Sequence, residues 1–84
     1  MPYITDTQRR VLARGTAPSH PGELNYVITK ILVQYIDNHG LNYHVINDIL
    51  GALEGAKLEF YRRVAVPYEN TKLALNGDVY NAPK

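Results

Sequence analysis

Residues 42–64 read NYHVINDILGALEGAKLEFYRRV, and this stretch decides the fold. Its large apolar side chains recur at steps of three and four, which keeps them on one face of a helix with about 3.6 residues per turn. These side chains, which we call the apolar stripe, are Ile46, Ile49, Leu50, Leu53, Phe60 and Val64. Asn42 stands just before the run, where its side chain is suited to accept a backbone N–H of the first turn. The pattern predicts one long helix.

Two glycines interrupt this helix one turn apart. Gly51 and Gly55 each cost a helix interior about 1 kcal/mol relative to alanine. With Ala52 and Ala56 beside them they form a strip of small side chains, the small-residue seam. A strip of this kind lets another helix backbone approach closely. We interpret it as a helix-packing or oligomer seam, in preference to a ligand surface.

A second amphipathic pattern occupies residues 23–38 and predicts another long helix. Gly40 follows as a stop signal, because glycine readily takes a positive φ at a helix C-terminus. Only about two residues separate this stop from Asn42, and so short a connection favours an antiparallel helical hairpin. We therefore expect an all-α fold. It is a small helical bundle built on the hairpin of helices 23–38 and 42–64, whose apolar faces meet to form the core.

The N-terminal segment is predicted to be a minor part of the fold. Residues 1–14 form an arm with a short helix, since Thr5 and Gln8 have the spacing of a capping box. Residues 15–22 contain two prolines and two glycines, a composition typical of a loop. The next helix is expected to begin near Pro21, because proline suits the first turn.

The C-terminal segment is predicted to carry a last short helix over residues 67–75. Pro67 lacks a backbone N–H and disfavours helix at the residue before it, so the chain should kink there or restart. Val79 and Tyr80 are expected to pin the tail back on the bundle. Residues 81–84 should be frayed.

Composition limits the protein class. The 84 residues are expected to form one domain, 1–84, and the absence of cysteine excludes disulfides and thiolate metal sites. The formal net charge of +1 gives no basic excess of the kind that nucleic-acid binders show. The N-terminus has no hydrophobic signal core, and the longest apolar stretch, residues 27–36, is far shorter than the ~20 residues of a membrane span. We expect a cytoplasmic protein without a membrane partner.

A group of polar side chains borders the apolar faces of the two long helices. Its members are Asn25, Tyr26, Glu54, Lys57, Tyr61 and Arg62. In an antiparallel hairpin the start of the first helix lies near the end of the second, so the group suits a small anionic ligand such as a nucleotide phosphate. It equally suits a hydrogen-bond network that fixes packing, and we rank that structural role first.

The sequence shows no catalytic or metal-binding pattern. It lacks the glycine-rich motifs that cradle phosphates. His39 and His44 lie on either side of a helix break without accompanying carboxylates. Ser19 and His20 have no visible third member of a catalytic triad. We therefore expect a protein that is not an enzyme and needs no cofactor or metal.

Four short strings are distinctive. They are GELNYVIT at 22–29, GALEGAKLEFYRRV at 51–64, PYE at 67–69 and NGDVY at 76–80. These strings resemble a family of short, uncharacterised proteins encoded by phages and bacteria, a domain of unknown function without assigned catalytic residues. The resemblance covers nearly everything after the N-terminal arm. It implies that the protein is encoded by a phage or a prophage. A phage-encoded protein is expected in the cytoplasm of the host.

Three functions are ranked. The first is a non-catalytic, phage-type accessory protein that forms a homo-oligomer and binds a host protein, since seven tyrosines against one phenylalanine favour amphipathic contact surfaces. The second is a binder or sponge for a small ligand, a nucleotide or another anion. The third is nucleic-acid binding through the basic helix ends, ranked last because of the near-neutral charge. Those ends carry Arg9, Arg10, Arg14, Arg62 and Arg63.

Overall fold

A computed structural model of the protein describes residues 4–80. Its helices are α1 (Asp6–Ala13), α2 (Pro21–His39), α3 (Tyr43–Phe60), a π-helical turn (Tyr61–Ala65) and α4 (Val66–Asn76). Over this range the chain contains no strand, which confirms the all-α class.

The chain divides into two compact units at the Ile46–Asn47 peptide bond, inside the first half of α3. The first unit contains α1 and α2, and the second contains most of α3, the π-helical turn and α4. The antiparallel packing of the two long helices, and the single bundle that it would form, stay predictions.

The ends of α1 follow directly from its flanking residues. The Thr5 hydroxyl accepts the backbone N–H of Gln8 at 3.1 Å, and the Gln8 side-chain oxygen accepts the backbone N–H of Thr5 at 2.7 Å. This reciprocal pair confirms the predicted capping box. Gly15 lies just after the helix with a φ of 91°, a conformation that favours glycine.

The ends of α2 and the start of α3 also agree with the sequence. Pro21 is the first residue of α2, so the observed helix is longer than the predicted 23–38 by two residues at its start and one at its end. Gly40 has a φ of 85° and donates its backbone N–H to Ile36 at 2.7 Å. The Asn42 side-chain oxygen accepts the backbone N–H of Val45 at 3.0 Å, which confirms Asn42 as the cap of α3.

The last short helix predicted over residues 67–75 is confirmed as α4, but the expectation that Pro67 disfavours helix at the residue before it is wrong. Val66 has the helical angles φ −64° and ψ −49°, and its N–H donates to the carbonyl of Tyr61, five residues earlier. A proline ring in a regular α-helix collides with the carbonyl four residues before it, and proline has no N–H to donate. The wider π turn just before Pro67 gives the ring room, and the helix therefore continues into α4 instead of stopping.

The tail beyond α4 does not pack on other residues as predicted. Gly77, with a φ of 86°, ends the helix. Val79 is 93% exposed and Tyr80 is 81% exposed, so the idea that they pin the tail is wrong. The predicted frayed segment 81–84 lies outside the described residues.

Few apolar side chains are buried in the part of the chain that the structure describes. Among residues 4–80, Ile4 and Val45 are the only apolar side chains that are buried. In the second unit almost every residue is exposed, the partly buried ones being Ile49, Ala65 and Val66. The helices of the second unit therefore lack the packed core that normally stabilises amphipathic helices.

Candidate functional site

The six polar residues singled out in the sequence fall into both units. Asn25 and Tyr26 lie on α2 in the first unit, where the Asn25 side-chain oxygen accepts the Thr29 hydroxyl at 3.4 Å. The other four, Glu54, Lys57, Tyr61 and Arg62, are exposed residues of the second unit. The proposed ligand site that combines the two groups stays a prediction.

A polar network joins the beginning of α1 to the beginning of α2. The Gln8 amide nitrogen lies 2.8 Å from Nε2 of His20 and donates to Oε2 of Glu23 at 3.1 Å. The other oxygen of Glu23 accepts both the backbone N–H and the hydroxyl of Ser19, at 3.0 and 3.1 Å. His20 Nε2 lies 3.3 Å from Oε2 of Glu23. The network therefore ties Glu23 to both its own loop and the preceding helix.

In this network the Ser19 hydroxyl donates a hydrogen bond to the carboxylate of Glu23, and the described residues show no hydrogen bond between that hydroxyl and His20. Glu23 thus joins Ser19 and His20 in one hydrogen-bond cluster. Its side chain is only 12% exposed, which is unusual for a carboxylate in this chain and shows how closely the loop surrounds it.

The pKa of Glu23 is held below its ordinary value of 4.5. The backbone N–H of Ser19 does most to lower this pKa, and the Ser19 hydroxyl, His20 and Gln8 act in the same direction, while desolvation opposes them. A lowered folded-state pKa stabilises the fold above the unfolded pKa, and this stabilisation is lost as the pH falls through the lower folded value. Protonation of Glu23 removes the negative charge and so weakens the hydrogen bonds from Ser19 that hold the loop.

We expect α1 to separate from α2 below pH 4.5, and Glu23→Gln to remove much of this acid sensitivity. The physical reason is that glutamine keeps the shape of the side chain but has no charge to lose. Amide hydrogen exchange in residues 6–13, followed from neutral to acidic pH, measures the effect. Glu69→Gln on α4 is the matched control, and it should leave the acid response unchanged. An unchanged response in Glu23→Gln as well would contradict the role given to this network.

A cleft of about 290 Å³ lies between α1 and α2. Its lining combines two basic side chains, Arg9 and Lys30, with an apolar floor. The remaining lining residues are Leu12, Ala13, Tyr26, Val27, Ile31 and Gln34. The Arg9 guanidinium lies over the ring of Tyr26, 5.8 Å from its centroid, and it also pairs with Asp6 at 3.7 Å. The cleft therefore offers cations beside an apolar surface.

The apolar stripe runs along α3 into the π-helical turn, and from Ile49 onward it lies in the second unit. Leu53 is 37% exposed, Leu50 60% and Phe60 63%. In a regular helix, residues stand about 100° apart around the axis, which places Gly51 and Gly55 roughly opposite Leu53. Among the described residues, no atom beyond the local backbone lies within 4 Å of a Cβ built on either glycine. Neither the stripe nor the small-residue seam is thus covered in the second unit.

The remaining sequence-based interpretations concern charges and metals. Glu59 and Arg63 stand four residues apart and form an exposed ion pair, with 3.8 Å between Oε2 and Nη1. Across residues 4–80 no three histidine or acidic side chains are grouped so as to hold a metal ion. None of the described helices combines the length and the apolar content that a bilayer crossing requires.

These features belong to a helical domain of unknown function. The family model of DUF6899 matches residues 1–79, so the chain is a member of that family. The match includes the N-terminal arm, which the resemblance of the four strings did not cover. The chain matches no curated protein and no solved structure.

Proposed function

We propose that this protein acts by binding, as a homo-oligomer that assembles through α3, and that it has no catalytic activity of its own. The observation that carries the proposal is the exposure of the apolar stripe along α3. Contiguous exposed apolar surface of this kind marks an interaction site in soluble proteins. Its helical spacing suits a second helix, because steps of three and four align side chains along a narrow contact line.

A second copy of the chain is the partner that the energetics favour. A helix with an unpacked apolar face is marginal in water, because most helix stability in proteins comes from tertiary contacts. Burying one large apolar side chain contributes roughly 1.5–3 kcal/mol, and a contact between two copies buries each stripe residue twice per assembly. Self-association therefore supplies the core that α3 and α4 lack.

The oligomer would engage a host protein through its tyrosines, in the phage setting that the resemblance implies. Tyr43, Tyr61, Tyr68 and Tyr80 are between 52% and 85% exposed. Tyrosine contributes a large apolar ring and a hydroxyl at low entropic cost, which is why it is common in protein interfaces. A binding role of this kind needs no cofactor, and the cytoplasm of the host would be its place of action.

The mass in solution tests the proposal. Size-exclusion chromatography with light scattering should report a multiple of the 9.5 kDa chain mass at micromolar concentration. Far-UV circular dichroism should show helix content falling on dilution, because association and folding of α3 are linked. A monomer with undiminished helix content at every concentration would contradict the proposal.

A second candidate function is the binding of a small anion with an apolar body, and the cleft between α1 and α2 favours it. Arg9 and Lys30 provide positive charge beside Leu12, Val27 and Ile31. Native mass spectrometry of gently purified protein should then show a retained extra mass that the Arg9→Gln/Lys30→Gln variant loses. A clean chain mass would remove this candidate and leave the first in place.

A further inference from the structure

We infer that His20 is a pH-sensitive switch between α1 and α2. Neutral His20 accepts a hydrogen bond from Gln8 of α1, whereas protonated His20 releases Gln8 and pairs with Glu23 of α2. One imidazole nitrogen lies within reach of both partners. The switch keeps α1 attached at neutral pH and loosens it in mildly acidic solution. It lies within the first unit and is independent of self-association through α3.

The orientation of the Gln8 side-chain amide is fixed by two neighbours. Its oxygen accepts the backbone N–H of Thr5 at 2.7 Å, and a backbone N–H can only donate. Its nitrogen lies 3.1 Å from Oε2 of Glu23, and an ionised carboxylate can only accept. Exchanging the two amide atoms would set donor against donor at Thr5 and acceptor against acceptor at Glu23. The amide nitrogen of Gln8 is therefore on the side that faces α2.

This orientation decides which nitrogen of the neutral His20 ring carries the proton. The Gln8 amide nitrogen is 2.8 Å from Nε2 of His20, and an amide nitrogen donates but does not accept. Nε2 must therefore be the unprotonated acceptor, and the proton of the neutral ring resides on Nδ1. Each hydrogen of the Gln8 amide then has one acceptor, the imidazole or the carboxylate of Glu23. The cluster is complete only while His20 is neutral.

Protonation of His20 reverses the role of Nε2. Histidine changes its charge in the range between about pH 5 and 8. Both nitrogens of a protonated imidazole donate, so an N–H of His20 would point at an N–H of Gln8 across 2.8 Å. Oε2 of Glu23 lies 3.3 Å from the same nitrogen and can accept the new bond as an ion pair. The hydrogen bond of His20 thus passes from α1 to α2.

This transfer weakens both bonds that Gln8 makes to α2. Gln8 loses its bond to the imidazole, and it then competes with His20 for Oε2 of Glu23. The other carboxylate oxygen offers no free substitute, because it already accepts the backbone N–H and the hydroxyl of Ser19. The link between the two helices is therefore weaker when His20 is charged.

The surroundings of His20 permit this exchange. Among residues 4–80, Glu23 is the one charged side chain that pairs with the imidazole. On α1, Asp6 and Arg9 pair with each other at 3.7 Å. The His20 side chain is 44% exposed, so protons reach it from the solvent. No second charge thus has to be displaced when the ring is protonated.

The switch acts on the cleft between α1 and α2. The wall that α1 contributes consists of Arg9, Leu12 and Ala13, which follow Gln8 along the helix. A helix of eight residues is too short to be stable by itself and depends on tertiary contacts for its place. Loosening the beginning of α1 would therefore open the cleft.

Nitrogen NMR of the unmodified protein tests the neutral state. At about pH 8, Nε2 of His20 should have the chemical shift of an unprotonated imidazole nitrogen and Nδ1 that of a protonated one. The His20→Gln variant lacks this signal and so identifies it. A proton on Nε2 at this pH would overturn the inference, because Gln8 could then not donate to that nitrogen.

Amide hydrogen exchange measures the switch itself. Protection of residues 6–13, corrected for the pH dependence of intrinsic exchange, should fall between about pH 8 and about pH 5.5. The expected fall is roughly two- to tenfold, the effect of one lost hydrogen bond. His20→Gln keeps an acceptor that does not titrate, and it should abolish the fall. His39→Gln, at the other end of α2, is the matched control and should retain it.

Gln8→Glu should reverse the sign of the pH response. A carboxylate at this position accepts from protonated His20, so α1 should become better protected as the pH falls. Glutamate also completes a capping box with Thr5, which preserves the start of the helix.

The contrary outcomes are separate from one another. Constant protection in the unmodified chain, or an equal fall in His20→Gln, would overturn the switch. A fall in Gln8→Glu equal to that of the unmodified chain would do the same. Circular dichroism at neutral pH identifies a variant that fails to fold. In that case the tautomer and the exchange of the unmodified chain decide together with the remaining variant.

Discussion

Leu53→Asp is expected to convert the protein to a monomer and to reduce the helix content of α3 and α4 sharply. Leu53 lies at the centre of the apolar stripe and remains 37% exposed in the single chain. In the proposed homo-oligomer the substitution removes one leucine of each copy from the contact through α3 and places carboxylates in it. The lost burial alone amounts to roughly 3–6 kcal/mol per dimer, from about 1.5–3 kcal/mol for each leucine. Light scattering and far-UV circular dichroism measure the two effects together.

Leu58→Asp is the matched control for this prediction. Leu58 is on the same helix, is a leucine of similar exposure at 44%, and stands about 140° around the axis from Leu53. The control should leave the mass unchanged and the helix content nearly so. If instead Leu58→Asp dissociates the protein and Leu53→Asp does not, the interface lies on the face that carries Gly51 and Gly55.

The double substitution Gly51→Ala/Gly55→Ala is expected to stabilise the protein by roughly 1–2 kcal/mol, the sum of about 0.4–1 kcal/mol per site. Both glycines are in the middle of α3 and have ordinary helical φ values, so alanine fits their backbone. A Cβ at either position meets no atom beyond the local backbone among the described residues. Alanine restricts the unfolded chain more than glycine does, and this entropic effect therefore appears as stability.

Thermal unfolding at a fixed protein concentration measures this gain, since the melting temperature of an oligomer depends on concentration. Each kcal/mol corresponds to a rise in Tm of roughly 4–8 °C for a domain of this size. The opposite result would be equally informative. A lower Tm and a smaller mass would show that the small-residue seam admits a second helix backbone at close range, as an oligomer seam would.

The helices of this protein are predictable from its sequence because their ends depend on local chemistry. Thr5 and Gln8 cap α1 through bonds only three residues apart. Asn42 caps α3 through a hydrogen bond to a residue three positions later, and Gly40 ends α2 because its own backbone takes a positive φ. Such contacts form in a short segment whatever the rest of the chain does, and a sequence pattern can therefore represent them.

What the sequence did not predict depends on distant residues or on competing local effects. The bond between Gln8 and Glu23 spans fifteen residues across a loop, and no spacing rule describes it. Arg9 over Tyr26 is a similar case, since the contact requires α1 to pack on α2. The helical conformation of Val66 is the competing local effect, because the rule for proline considers a regular α-helix, whereas the π turn supplies an alternative that keeps the chain helical.

The π-helical turn also limits how the length of this chain can change. Relative to a regular α-helix, a turn of this kind contains one residue more than its length along the axis requires. Deleting one residue within Tyr61–Ala65 would restore regular α-helical geometry without turning α4, but it would remove the room that the π turn gives the Pro67 ring. The ring would then collide with the carbonyl four residues before it. Single-residue deletions are therefore expected to be tolerated far less in this turn than in the loop that precedes α2, which can change length without reorienting a helix.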